Sequence, residues 1–256
     1  MLGGEASWDE LDTALERHAQ FLRRWCAERE VQTNEVQRSW ALLPAFLSLD
    51  DGRPFDLLEL GPSAGLNLLW DRYAYRYSSG SWGSGELELH GEDRLPPPAE
   101  LLSRQVEVVR RRGVDLSPID VTTDDGARVL QAFVWPDQTG RLERLRRAIE
   151  VTRHDPPELI RGDYVEELPA LLHDRVPGSL LVVFQTASTM YLDRAGAERL
   201  RGALQEAGSR EPLVFVTTGR APEDDGFALE VQRFPGGRAE RVGVFDFHGA
   251  WLDWGR

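Results

Sequence analysis

A glycine-spaced loop directly after an apolar run is the segment of this sequence best suited to hold a ligand. The loop reads Gly-Pro-Ser-Ala-Gly over residues 61–65, follows the run 55–60 and precedes a helix that starts near Leu66. Its glycines allow a sharp turn and a close backbone approach, and a helix start presents free N–H groups and a positive dipole end. The predicted cofactor contacts here are Glu59, Gly61, Ser63, Ala64 and Gly65.

The spacing of this loop indicates which nucleotide-type ligand to expect. G-x-x-x-G departs from the dinucleotide fingerprint G-x-G-x-x-G, so it does not signal a pyrophosphate. S-adenosylmethionine offers an ammonium and a sulfonium to Glu59 and a carboxylate to the helix start. The sequence therefore predicts a pocket of the S-adenosylmethionine kind. The competing interpretations are a non-catalytic nucleotide-binding or protein-interaction module on the same fold, and a tight turn that holds no ligand.

Two further acids could contact such a cofactor. Asp163 follows a short predicted strand and could accept a hydrogen bond from an adenine amine, although a helix N-cap explains it equally well. Asp115 could bind the ribose diol. Glu88 competes for that role, depending on which segment forms the second strand of the sheet.

Substrate and catalytic candidates lie in loops beyond the predicted strands, where open α/β sheets bind ligands. The run Trp-Pro-Asp-Gln at 135–138 precedes Arg141 and Arg144, and it reads either as an anion clamp or as a capped basic helix. The predicted substrate contacts are Asn34, Arg38, Trp135, Gln185 and Ser188. The candidates for a general base in methyl transfer are Asp137, Tyr191 and His248.

Ser63 supports a less favoured alternative, a serine hydrolase. It is central in a G-x-S-x-G spacing, and His248 with Asp193 or Asp246 could complete a triad. However, only helices are predicted before this strand, whereas the nucleophile elbow of such hydrolases follows several strands. We therefore expect the Ser63 hydroxyl and the His248 ring to be too far apart to form a hydrogen bond. The histidines are scattered, so no metal site is predicted.

The elements around these motifs predict an α/β protein. Strands alternate with helices, which indicates a doubly wound, mostly parallel sheet. A hairpin around Pro-Gly-Gly at 235–237 adds an antiparallel end, so we expect a seven-stranded sheet like that of class I methyltransferases. Residues 1–52 are predicted to form an N-terminal helical layer and residues 53–256 the Rossmann-like domain. Helices are predicted over 8–30, 34–49 and 96–112.

Composition restricts the partners and the compartment. The formal net charge is −13, which disfavours nucleic acid and anionic lipid as partners and favours a small-molecule substrate. The chain contains no lysine, which excludes Schiff-base chemistry and a Walker A loop. One cysteine, no apolar stretch of membrane length and no secretory signal together predict a cytoplasmic location. The oligomeric state is left open.

Several motifs together resemble one bacterial family, domain of unknown function 2332. The matching runs are TNEVQRS at 33–39, ELGPSAGLN at 59–67 continuing into DRY, RGVDLSPID at 112–120, WPDQ at 135–138 with Arg141, Arg144 and Leu145, RGD at 161–163, and HGAW at 248–251. The resemblance implies a methyltransferase-like Rossmann fold. It implies no established reaction. Ser63 stands where methyltransferases commonly carry a third glycine of the loop.

Overall fold

The computed structural model describes residues 7–28, 31–221 and 226–256, in two compact units, Met1–Gln32 and Thr33–Arg256. In the first unit the helix predicted over 8–30 is divided at His18 into α1 (Trp8–Arg17) and α2 (Ala19–Glu28), and its predicted end lies outside the described residues. A capping box at Ser7 starts α1, because this serine and Glu10 satisfy each other's backbone N–H groups.

The second unit contains a nine-stranded sheet and a three-stranded sheet. The strands are β1 (Phe55–Leu60), β2 (Ala74–Tyr77), β3 (Gly80–Trp82), β4 (Glu88–His90), β5 (Glu92–Leu95), β6 (Val108–Asp115), β7 (Glu158–Arg161), β8 (Leu180–Phe184), β9 (Leu213–Ala221), β10 (Gly226–Phe234), β11 (Glu240–Phe245) and β12 (Trp251–Trp254). The helices are α3 (Arg38–Ser48), α4 (Ala99–Leu102), α5 (Asp124–Ala132), α6 (Thr139–His154), α7 (Tyr164–His173) and α8 (Arg194–Arg210). Two 3₁₀ helices, Leu66–Arg72 and Ser188–Tyr191, follow β1 and β8.

The large sheet has the strand order β5-β12-β11-β10-β9-β8-β1-β6-β7. From β7 to β9 the neighbouring strands are parallel, and β10, β11 and β12 continue as an antiparallel meander. The mixed α/β class and the mostly parallel sheet are confirmed. So is the pairing of the C-terminal hairpin, as β10 with β11.

The expected count of seven strands is wrong. The nine strands of this sheet include the short β12 and β5, which pair in parallel at its edge. Each segment has four residues, the lower limit at which a pattern can identify a strand, and β5 has only one apolar residue. The region 73–90 forms the separate three-stranded sheet of β2, β3 and β4.

Helices pack on both faces of the sheet. Alternate residues of β1 point to opposite sides, so Leu57 contributes to one apolar cluster and Leu58 to the other. On the first face α3 is buried along nearly its whole length, and Phe46 stacks on Trp70 with ring centroids 4.8 Å apart. On the second face α7 and α8 supply the leucines of the other cluster. This helix-sheet-helix layering is the one predicted from the alternation of elements.

Two predicted helices differ in the structure. The helix expected over 96–112 is only the short α4, and its second half is the strand β6, because Arg110 and Arg112 alternate with neighbours as β residues do. The helix expected from Asn34 begins at Arg38, since Asn34 caps another element, described below. The predicted domain boundary at residue 52 stays a prediction, while α3 packs within the unit Thr33–Arg256.

None of the helices in the described ranges is both long enough and apolar enough to cross a membrane.

Candidate functional site

The order in which the chain adds strands to the sheet changes direction between β1 and β8. After β1 the chain adds β6 and β7 on one side, and it then adds β8 and β9 on the other side of β1. Open α/β sheets bind their ligands outside the carboxyl ends of the strands at such a switch point. The loop 61–65 follows β1 and the loop 185–191 follows β8, so both lie at this edge of the sheet, called the crevice below. The predicted cofactor loop is therefore at the position that the sheet topology favours.

The glycines of the loop approach the chain itself. Gly61 and Gly65 have left-handed backbones with φ of 70° and 75°. A Cβ on Gly61 would lie 2.5 Å from the Ser188 Cβ, and one on Gly65 would lie 2.8 Å from Cγ of Pro157. Ser63 also has a positive φ, 56°. The close approach that we predicted for a ligand is thus made by the loop after β8 and by the residue before β7.

Two backbone N–H groups of the loop are already hydrogen-bonded to side chains. The Ser63 amide donates to Asp115 Oδ2 at 2.8 Å, and the Leu66 amide donates to Asn34 Oδ1 at 3.0 Å. The expectation of a free helix start here is wrong, because Asn34 satisfies it and the element is a short 3₁₀ helix. A ligand anion at this point would have to replace the side chain of Asn34.

Strand pairing settles which acid lies beside the loop. β6 pairs with β1, and Asp115 is its last residue. Glu88 lies in the small sheet and forms an ion pair with Arg76 at 2.7 Å. Asp115, and not Glu88, therefore ends the strand that follows β1 in the large sheet. The contact of Asp115 with a ribose stays a prediction.

Glu59 is the most unusual group at the switch point. Its side chain is fully buried, and neither carboxyl oxygen has a hydrogen-bond partner among the described residues. Burial, followed by the nearby charge of Asp115, raises the pKa of Glu59 to about 8, although Arg38 and Asn67 act in the opposite direction. The Asn67 side-chain nitrogen is likewise buried without a partner. The raised pKa favours the protonated form of Glu59 near neutral pH, so a cationic partner would bind it with loss of that proton.

Arg38 ties three segments together at this point. Its Nε donates to the Phe247 carbonyl and its Nη1 to the Thr186 carbonyl, both at 2.8 Å, and the guanidinium lies 4.2 Å from the centroid of the Phe247 ring. Burial lowers the pKa of Arg38 to about 10, while Glu35 and Glu59 raise it. The predicted substrate residue Arg38 is therefore a buried link between α3, the loop after β8 and the C-terminal loop.

Glu35 forms an ion-pair cluster at the mouth of the crevice. Its Oε2 lies 2.6 Å from Nε of Arg141, and its Oε1 lies 4.0 Å from Nη2 of Arg144. The pKa of His248 is lowered by burial and then by the charge of Arg141, so its ring is near this cluster. Sequence reasoning missed Glu35 and Asn67 as site residues. The acid in the TNEVQRS run was the available signal for Glu35.

The remaining predicted residues separate into two groups. Gln185 donates to the Thr218 carbonyl and Ser188 donates to the Leu60 carbonyl, so both side chains serve the fold around the crevice. Asp163 caps α7 by accepting from Val165 N, which is the structural role weighed against adenine binding. The exposed predicted residues are Trp135, Asp137, Asp163, Tyr191 and His248.

The candidate acids of a hydrolase triad have other partners. Asp193 caps α8, and Oδ2 of Asp246 accepts the backbone N–H groups of His248 and Ala250. Ser63 is 7% exposed. The separation of the Ser63 hydroxyl from the His248 ring stays a prediction. Within the described ranges, no three metal-ligating side chains come together.

The fold and site define a mixed α/β protein with a candidate ligand crevice at the switch point of its sheet. Residues 2–254 match the family model described as an uncharacterized protein conserved in bacteria, DUF2332. The chain belongs to this bacterial family. No curated protein and no solved structure matches it.

Proposed function

We propose that the chain binds S-adenosylmethionine in the crevice at the switch point and transfers its methyl group to a small molecule. The observation that carries this proposal is Glu59, a fully buried carboxyl near the end of β1 whose oxygens have no well-directed hydrogen bond among the described residues, although the Asn67 amide lies close enough to lower its pKa. A buried polar group without a partner costs free energy, so its retention favours a role in binding. The ammonium of the cofactor's methionine portion would supply the missing partner.

The residues around Glu59 fit the rest of such a cofactor in part. Asp115 ends the adjacent strand and presents a carboxylate that can accept from ribose hydroxyls. The glycines do not provide an open cradle, because the chain fills the space beside them. Binding therefore requires Asn34 to release Leu66 N and Asp115 to share its bond to Ser63 N.

The bound cofactor supplies an electrophilic methyl group, and the chain has to orient the acceptor and move a proton. His248 is the best placed of the three candidate bases, since its ring lies near Arg141 and Arg38. Desolvation and these charges lower the pKa of His248, although Asp246 and Glu35 raise it, and its exposed imidazole can therefore accept a proton from the nucleophile.

Equilibrium dialysis with labelled S-adenosylmethionine tests the proposal. We expect saturable binding by the wild-type chain, and at least about a tenfold loss in Glu59→Gln, which corresponds to one lost charge-assisted contact. Glu88→Gln is the matched control, because that acid lies in the small sheet, and it should bind normally. Gly65→Val is unsuitable, since its Cβ would meet Pro157.

Absence of binding by folded wild-type chain at millimolar ligand would contradict the proposal. The non-catalytic nucleotide-binding or protein-interaction module would then become the leading interpretation. Equal binding by Glu59→Gln would remove Glu59 from the site.

A further inference from the structure

Cationic side chains converge on one buried carboxylate at the mouth of the crevice. Glu35 is 2% exposed and pairs with Arg141 and, at longer range, with Arg144. The pKa values of Arg38 and His248 both respond to Glu35 and Arg141, which puts these two groups in the same neighbourhood. The four cationic or titratable residues come from α3, α6 and the C-terminal loop, so the fold assembles them from distant parts of the sequence.

The charges in this cluster do not balance. Three arginines, Arg38, Arg141 and Arg144, lie around the one buried carboxylate of Glu35. Asp246 is the other acid near His248, and its Oδ2 already accepts two backbone N–H groups. Nε of Arg144 is buried without a hydrogen-bond partner among the described residues. Such an excess of partly buried positive charge, in a chain of net charge −13, favours an anionic ligand.

Glu35 lies on an irregular, largely buried segment before α3. Residues 33–37 precede α3 and form no regular helix or strand, and Glu35 Oε1 also accepts from Gln37 N at 3.1 Å. A cavity adjoins the ion pair, with Arg141 at one side and apolar walls from α5, α6 and the loop between them. The apolar residues that line it are Leu130, Phe133, Val134 and Leu145. The cavity has a volume of only about 10 Å³, room for about one water molecule, so a ligand carboxylate would have to take the place of the Glu35 side chain.

We propose that Arg141 and Arg144 form the subsite for a carboxylate group of the substrate, and that Glu35 occupies this subsite in the ligand-free chain. A guanidinium matches a carboxylate through two parallel N–H donors, which a point charge cannot do. The cluster lies beside His248, so the acceptor atom of such a substrate would be held near the proposed base. This inference rests on the proposed function only in naming the bound molecule as the methyl acceptor.

Removal of Glu35 tests the subsite without any cofactor. Glu35→Ala leaves the arginines without their acid and opens space for acetate or benzoate. We expect each of these two probes to raise the melting temperature of Glu35→Ala by about 5 °C at 100 times its dissociation constant, relative to chloride at equal ionic strength. Adding Arg141→Gln should abolish this increase.

Asp71→Ala is the matched control. Asp71 is also a nearly buried carboxylate that pairs with two arginines, Arg111 and Arg72, but it lies away from the cavity. We expect no comparable response to acetate or benzoate there. No rise in Glu35→Ala, an equal rise in Asp71→Ala, or a rise that persists without Arg141 would each overturn the inference.

Glu35→Ser provides a second readout if the alanine variant does not fold. It leaves room beside the arginines, keeps a polar side chain there, and removes the charge that raises the pKa of His248. The His248 imidazole, followed by NMR titration, should show a lower pKa in this variant, and acetate should raise it again. An unchanged imidazole titration in the presence of acetate would contradict the subsite. Because neither assay contains S-adenosylmethionine, failure here is distinct from failure of cofactor binding.

Discussion

Replacing Glu59 with glutamine should stabilise the chain in a pH-dependent way. The carboxyl is fully buried, and burial raises its pKa from 4.5 to about 8. At neutral pH the unfolded chain ionises this group, whereas the folded chain holds it protonated, so folding takes up a proton. The raised pKa is therefore a cost to folding that is absent below pH 4.5, grows with pH and levels off above pH 8. Glutamine carries no such cost.

The size of the effect follows from the two pKa values. At pH 7 the difference amounts to about 3 kcal/mol, and above pH 8 it approaches about 5 kcal/mol, at 1.36 kcal/mol for each unit. Urea unfolding of wild type and Glu59→Gln at pH 4.5, 7 and 8.5 gives the free energy of unfolding directly. The pH-dependent part of the difference is diagnostic, since the buried amide adds a constant offset.

Asp56 is the matched control on the same strand. It is equally buried, but Arg110 donates to both of its oxygens and Val176 N donates to one of them. Asp56→Asn should destabilise the chain at pH 7, by about 3 kcal/mol, because it leaves buried arginine charge without its acid. A difference between wild type and Glu59→Gln that does not change with pH would refute the assignment of a protonated Glu59. So would destabilisation of Glu59→Gln that increases with pH.

Three further perturbations test the packing around the crevice. Gly61→Ala should lower the free energy of unfolding in urea by about 2–4 kcal/mol, because of left-handed strain and overlap with Ser188. Its control, Gly52→Ala, has open space and should lower it by about 1 kcal/mol. Equal losses in the two variants would contradict the close contact. Arg38→Met should lower the free energy of unfolding by about 3 kcal/mol, because two carbonyl oxygens lose a charged donor. Arg128→Met on the exposed surface should change it by less than about 0.5 kcal/mol. A small effect of Arg38→Met would count against its role as a link. A fluorophosphonate should not label the chain, and stoichiometric labelling lost in Ser63→Ala would favour the hydrolase.

The central strands could be predicted because their signal is local. β1 and β8 are apolar runs bounded by turn residues, and the hairpin of β10 and β11 encloses a Pro-Gly-Gly turn. The prediction of a helix up to residue 112 is wrong over the first part of β6, because the pattern of arginines and valines there is compatible with an amphipathic helix as well as with a strand. Only pairing with β1 decides between them, and that pairing joins residues about fifty positions apart.

The residues of the candidate site also fall into those that a local sequence pattern indicates and those that only tertiary contacts reveal. The place of Glu59 near the carboxyl end of β1 could be predicted from the apolar run, whereas Asp115 ends β6, a strand that the sequence pattern does not identify. The ion pair of Glu35 with Arg141 joins segments far apart in sequence, so no local pattern reveals it. The filling of the glycine loop by Ser188 and Pro157 is also tertiary. Polar residues at strand ends thus indicate where a ligand could bind. Which side chains of the chain itself fill that place depends on tertiary packing, which the sequence pattern does not show.

Calorimetry of S-adenosylhomocysteine binding at pH 7, in two buffers of different ionisation enthalpy, tests the central claim most directly. If the ligand ammonium pairs with Glu59, that carboxyl must ionise as the ligand binds. With a free-state pKa of about 8, binding should release about 0.9 proton, and Glu59→Gln should release none. Binding heats that do not depend on the buffer, or no binding heat from the folded chain at millimolar ligand, would contradict the account.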